Sequence, residues 1–303
     1  MAISAGDPSG IGPEIIAKAL RHPQVRRALT PLVLGDASLA RQLPGVELRA
    51  VTRLAPADRV PGKPTRRGGR AQFAYIQAAI DAVKRGDAQA VCTAPVNKGQ
   101  ITRAGIPFVG HTEVFAEAFD TPVLMLMEGP LLRVALATNH LPLREVPGAL
   151  TISGLVAQLE LLSRGLTPRL GAKPRIAVCG LNPHAGDGGA LGTEERDVIA
   201  PAIRLARRRG LDVEGPFAAD GLFASARTFA YDVALAMFHD QGLVATKTLD
   251  FARTVNVTLG LPHPRTSPDH GVAYDIAGKG KADEKPMVAA LLSAAQYVTR
   301  SNG

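Results

Sequence analysis

The 303-residue sequence contains no tryptophan, only 4% aromatic residues and two cysteines. So few aromatics leave the core to Ala, Val, Leu and Ile, which favours layered α/β architecture over an aromatic-rich β-sandwich. Cys92 (in AVCTA) and Cys179 (in IAVCG) lie inside apolar runs. They read as small core residues, not as a secreted disulfide framework. No apolar run reaches the ~18 residues that span a bilayer. Asp7 and Pro8 arrive before a signal-peptide apolar region could form, so a cytoplasmic location is expected and no membrane partner. The net charge is +8, yet no helix-turn-helix, zinc-finger or RNP-type motif accompanies it. Its basic clusters are Lys63, Arg66, Arg67 and Arg70, read as a Pro/Gly-rich loop, and Arg204, Arg207, Arg208 and Arg209, read as a helix end. Solvated faces explain both, and nucleic acid is not an expected partner.

With 46% hydrophobic and 20% charged residues the chain is a normal globular one, long enough for two domains or one large one. Short apolar runs alternate with helix-length amphipathic segments. AISAG precedes IGPEIIAKALRH, and a helical spacing over Ala71 to Arg85 precedes the strand-like AQAVCTAPV. This alternation predicts βαβ units and a mostly parallel sheet. TPVLMLM and LLRVALAT, joined by EGP, predict an antiparallel pair. Thr193 reads as the N-cap of a helix opened by Glu194 and Glu195, and a last helix is expected from Lys285 to Thr299.

Three histidines follow three separate strand-like runs: His140 after RVALATN, His184 after RIAVCGLNP and His239 after DVALAMF. In a parallel sheet those strand ends share one edge, where ligands bind. Three imidazoles there would make a divalent-metal site with open positions. A single histidine near a strand end is more often structural; the shared context of the three carries the reading.

His111 and Thr112 in GHTEVFAEAF open a helix whose free N–H groups attract anions. Lys247, Asn256 and Arg265 follow His239 and, with that terminus, could cradle a phosphate. The N-terminal GDPSGIGPE has the look of a Rossmann turn but misses the fingerprint. Gly10 and Gly12 match, Ile15 stands where Gly or Ala belongs, and no acidic residue is expected to end a second strand.

In order along the chain, GDPSGIGPE, GHTE, ALATNHLPL, GLNPHAGDGG with GTEE, FHDQGL and NVTLGLPHPRTSPDHG closely resemble the 4-hydroxythreonine-4-phosphate dehydrogenase family of pyridoxal phosphate biosynthesis. The resemblance runs from Ser4 to about Asp283. It implies an α/β fold of two α/β/α domains flanking a cleft, isocitrate/isopropylmalate dehydrogenase-like. The expected first domain is 1–112 with 268–303, and the second, 113–267, carries most metal and substrate residues. The resemblance also implies a homodimer with the active site at the subunit interface. His140, His184 and His239 match the family's metal ligands, and His111, Thr112, Lys247, Asn256 and Arg265 its substrate contacts. Lys98 in VNKG is a further cleft-lining candidate. Implied cofactors are NAD, with NADP as the alternative, and a divalent ion: zinc, cobalt, manganese or magnesium. NAD-contacting residues are not implied.

The implied reaction oxidises 4-phosphohydroxy-L-threonine to 2-amino-3-oxo-4-phosphooxybutanoate, which decarboxylates to 3-amino-2-oxopropyl phosphate. Asp240, Lys247 and a metal-bound hydroxide are the candidate bases. Asn139 stands where the family suggests Thr, and His263-Pro264 replaces more apolar residues before Arg265. Three alternatives stand beside this reading. They are a dehydrogenase of a phosphorylated four-carbon sugar acid, a metal-dependent hydrolase, and a basic anion- or nucleic-acid-binding protein.

Overall fold

The computed structural model describes residues 1–225 and 230–301. Among them, eleven strands follow one another along the chain. The first six are β1 (Ala2–Ser4), β2 (Leu32–Asp36), β3 (Glu47–Thr52), β4 (Val91–Thr93), β5 (Leu124–Glu128) and β6 (Arg133–Leu136). The rest are β7 (Ile176–Cys179), β8 (Val213–Phe217), β9 (Val233–Ala236), β10 (Val255–Leu259) and β11 (Arg265–Pro268). The chain forms two compact units, Met1–Pro122 with Leu261–Gly303, and Val123–Gly260.

In the first unit the strand order is β3-β2-β1-β4-β11, all parallel. From β1 the chain steps outward to β2 and β3, then returns to β4 on the other side of β1. The topological switch point therefore lies between the ends of β1 and β4, at the GDPSG and VNKG turns. The helix Arg66–Lys84 covers this sheet with Ile76, Ala79, Ile80 and Val83, all buried. Each such aliphatic side chain contributes roughly 1.5–3 kcal/mol by leaving water.

That helix starts earlier than its apolar spacing predicts. Thr65 Oγ1 accepts from Gly68 N at 3.0 Å, so three of the first basic cluster's four residues lie on helix, not loop. Gly68 and Gly69 read as loop residues, but Gly69 is where this helix meets the next one. A Cβ there would come within 2.3 Å of Gln100 O. Asp36 also departs from expectation, since it is the last residue of β2. Its carboxylate accepts from Ser38 N, Thr52 Oγ1 and Leu54 N, which commits it to the local turn.

The second unit has the order β10-β5-β6-β9-β7-β8. β5 runs antiparallel to β6, as the EGP turn predicts, and also to β10. β6, β9, β7 and β8 are parallel neighbours. The helix Ile152–Leu170 buries Leu155, Val156, Leu159, Leu162 and Leu166 in this unit. The unit boundaries fall at 122/123 and 260/261, not at 112/113 and 267/268. Phe115 anchors the helix His111–Phe119 in the first unit's core, and β11 pairs with β4. The last helix extends over Lys285–Ser301. Among the described residues no single helix is long and apolar enough to cross a membrane.

Candidate active site

His140, His184 and His239 lie beyond the C-terminal ends of β6, β7 and β9, three strands that are side by side in the order β6-β9-β7. Two polar side chains tie these ends together. Thr138 Oγ1 donates to Met237 O at 2.7 Å, joining the ends of β6 and β9. Gln241 accepts from Met237 N at 2.7 Å and donates to Gly180 O at 2.8 Å, joining β9 to β7. The edge that carries the histidines is thereby fixed by side chains of the TNH and HDQ blocks themselves.

His239 opens the helix His239–Asp250, and its Nδ1 lies 2.7 Å from Asp240 Oδ1. A carboxylate there fixes the tautomer with hydrogen on Nδ1 and leaves the Nε2 lone pair for an electrophile. The rings of His140 and His239 stand 5.4 Å apart between centroids, tilted by 39°. His140 and His184 are both exposed. Among the described residues of this single chain, no three His, Cys, Asp or Glu side chains enclose a metal-sized site.

The His184 loop is unusual in its backbone. His184, Ala185 and Asp187 all have positive φ (53°, 53° and 45°), as do Gly186 and Gly188 between and after them. A left-handed residue with a Cβ costs roughly 1–2 kcal/mol, so something must hold this turn. Glu195 does. It is 5% exposed, and its Oε1 accepts from Leu181 N and Asn182 N, both at 2.7 Å. Its Oε2 accepts from Asn182 Nδ2 at 2.9 Å, and Glu194 Oε2 takes the same amide at 2.7 Å. Gly186 is obligatory here, because a Cβ would sit 2.7 Å from Glu195 Oε2 on a φ of +82°. The GTEE block is therefore a clamp. Thr193 stands at the helix start as expected: its carbonyl accepts from Asp197 N at 2.8 Å, Glu194 is the first helical residue, and a π-helical turn Glu195–Ile199 leads into the α-helix Ala200–Arg208.

In the first unit, positive charge gathers around His111. Arg265 on β11 is 2% exposed, with Nη2 donating to Thr93 Oγ1 at 2.5 Å and its guanidinium 5.8 Å from the Phe115 ring. Burial pushes its pKa down to about 10. His111 Nε2 is buried without a hydrogen-bond partner, at the first turn of the helix His111–Phe119, with Thr112 next to it. Burial first, then the charges of Arg265 and Lys98, holds the His111 imidazole well below the usual histidine range. A buried guanidinium, a helix N-terminus and an unsatisfied imidazole together suit a phosphate.

An arriving dianion would reverse the sign of the field at His111. Inorganic phosphate should therefore raise its pKa, read by NMR titration of the imidazole; an unmoved His111 would place the anion elsewhere. Without phosphate, the unfolded chain binds a proton below about pH 6.5 that folded His111 refuses. This group's contribution to stability is therefore lost as pH falls below that value.

Asn256, in β10, has Oδ1 buried without a hydrogen-bond partner, as expected of a group awaiting a ligand. Lys247, on the His239 helix, has its ammonium 5.9 Å from the Phe251 ring. Asn139, beside His140, also has a buried Oδ1 without a partner. Leftover histidines have other surroundings: His263 lies against Phe119 at 5.9 Å, and His270 Nδ1 lies 3.0 Å from Gly271 O. Both cysteines are free and buried, their thiols pushed up to about 12 by burial.

One buried residue of the GDPSG turn is absent from the expected site. Asp7, 1% exposed, accepts from Ser9 N, Gln72 Nε2 (2.9 Å) and Tyr274 Oη (2.5 Å). Gln72 in turn accepts from Asn97 N, so one network ties the GDPSG turn to the VNKG turn at the switch point. Burial raises the Asp7 pKa against these hydrogen bonds.

The family model for pyridoxal phosphate biosynthetic protein PdxA matches residues 17–294. The chain belongs to this family. It is 48% identical to a 4-hydroxythreonine-4-phosphate dehydrogenase of Burkholderia vietnamiensis, over 96% of this chain and 94% of that one. A crystal structure of 4-hydroxythreonine-4-phosphate dehydrogenase from Klebsiella pneumoniae superimposes with a TM-score of 0.87 at 33% identity, covering 98% of each chain. A β-decarboxylating dehydrogenase from Thermococcus kodakarensis, at 15% identity and a TM-score of 0.53, shares the fold; 99% of this chain and 83% of that one are covered. The GHTE, NPHAG and FHDQG blocks that carry the histidines all fall within the family match.

Proposed function

We propose that the chain is a divalent-metal- and NAD-dependent 4-hydroxythreonine-4-phosphate dehydrogenase. The observation that carries this reading is the placement of His140, His184 and His239 on three adjacent parallel strand ends in a member of the PdxA family. The substrate is 4-phosphohydroxy-L-threonine, oxidised at C3 to 2-amino-3-oxo-4-phosphooxybutanoate. That β-keto acid loses CO2 to give 3-amino-2-oxopropyl phosphate, since the new ketone accepts the electron pair.

The donor set fits a divalent ion of the first transition row, with zinc or cobalt well suited to imidazole nitrogen. When bound, such an ion supplies Lewis acidity to the substrate hydroxyl while NAD takes the hydride equivalent. The remaining work falls to the chain's side chains. Asp240 keeps His239 in its ligating tautomer. The hydroxyl proton goes to Lys247 in its neutral amine form or to Asp240 through Oδ2, since Asp240 Oδ1 is engaged with His239. Arg265, His111 and Thr112 bind the phosphate, Lys98 adds positive charge beside them, and Asn256 orients the substrate through its unsatisfied Oδ1.

We assign the completed site to a homodimer. Leu141 and Leu143 beside His140, Leu191 in the loop after His184, and Val244 and Phe251 on the His239 helix are all exposed. Apolar side chains exposed beside metal ligands suit burial by a second copy. A cytoplasmic location accords with two reduced, buried cysteines.

The test is NADH formation from 4-phosphohydroxy-L-threonine with 4-phospho-threonate run alongside. Turnover of the amino acid supports the biosynthetic reading. Turnover of the sugar acid alone would keep the chemistry and move the enzyme to sugar-acid substrates.

A further inference from the structure

We propose that Glu195 is a positioning residue for the metal site: its buried carboxylate holds the left-handed turn that aims His184. The inference rests on the metal role proposed for His184. A ligand loop normally owes its direction to hydrogen bonds made by the ligand itself. Here His184 is exposed on a turn of consecutive positive-φ residues, a conformation that persists only where its surroundings impose it. The restraint comes from the base of the loop. Glu195 takes the two backbone N–H groups of Leu181 and Asn182 just before the turn, and the Asn182 side chain just beneath it. Glu195 holds the turn in the same way whether His184 serves an ion in its own subunit or in a partner.

The chemistry of the clamp makes it intolerant of a neutral isostere. Asn182 Nδ2 donates to both Glu194 Oε2 and Glu195 Oε2. In Glu195→Gln, one amide oxygen can still accept the two backbone bonds. The new NH2 group then faces the Asn182 NH2, donor against donor. Asn182 cannot relieve this by flipping, because its oxygen would then face the Glu194 carboxylate. The turn loses its anchor, and His184 loses its direction.

Cobalt(II) titration of the full-length protein, followed by its visible d–d bands, reads the consequence without turnover. Glu195→Gln should weaken cobalt binding by about 10–100-fold and alter the band intensities. His184→Ala should weaken it at least as much. Adding Glu195→Gln to His184→Ala should change the affinity by less than about twofold, because the residue acts only through that ligand. Should Glu195→Gln fail to fold, Asn182→Ala removes the shared amide and should shift cobalt affinity in the same direction by a smaller factor. Unchanged affinity in the folded variant overturns the proposal, as does an equal further loss on the His184→Ala background. A wild-type protein that binds no cobalt, or His184→Ala that binds it undiminished, would overturn the metal reading and this proposal together. Loss in His184→Ala with none in Glu195→Gln removes the proposal alone.

Discussion

His239→Ala should abolish metal binding and reduce kcat by about 10³-fold or more, with the fold intact. Lewis-acid assistance contributes several kcal/mol to stabilising the developing alkoxide, and each ~1.4 kcal/mol is tenfold in rate. His239 is half-buried at the first turn of its helix, with its helical neighbours packed on β6 and β9 through Leu243. Its removal therefore deletes the proposed ligand without opening the core. Asp240→Asn should be milder, about 10–100-fold in metal affinity, because only the tautomer and orientation of His239 are lost. Metal content and steady-state kinetics check both. A His239→Ala enzyme with wild-type kcat would remove the histidine edge from the chemistry.

Arg265→Met should separate function from stability. Truncating a buried charge that binds a ligand's opposite charge costs roughly 2–5 kcal/mol, so the KM for the phosphorylated substrate should rise about 10²-fold or more. The fold should not suffer in the same measure. Arg265 is 2% exposed, and burial already depresses its pKa to about 10, the mark of a cation held against desolvation. Methionine removes the desolvation cost of the guanidinium but leaves Thr93 Oγ1 without that donor, two effects of opposite sign. The expected result is a large rise in KM with Tm changed little, checked by kinetics and thermal unfolding on the same preparation. A fall in Tm with an unchanged KM would make Arg265 a structural residue.

The strand ends and the helix start that carry the candidate residues are legible in the chain. RVALATN, RIAVCGLNP and DVALAMF are short apolar runs ending in a turn and a histidine, and each becomes a parallel strand with its histidine on the shared edge. His111 and Thr112 likewise stand at a helix start, as the GHTE block predicts. What stayed hidden depends on long-range contacts. Thr193-Glu194-Glu195 is the helix start that its pattern suggests, but Glu195 also turns inward to Leu181 and Asn182, a contact that a local pattern cannot reveal. The burial of Arg265 is equally silent in sequence, because its partners Thr93 and Phe115 come from other elements. Gly68 and Gly69 read as a loop because the need for glycine is set by the neighbouring helix, not by the local chain.

NADH formation from 4-phosphohydroxy-L-threonine, followed before chelation, after it, and after zinc or cobalt is restored, decides whether the histidine edge works through a metal. The structure predicts turnover that is lost on chelation and recovered with the ion, with the protein folded throughout. Turnover that survives complete removal of metal would contradict a mechanism built on His140, His184 and His239.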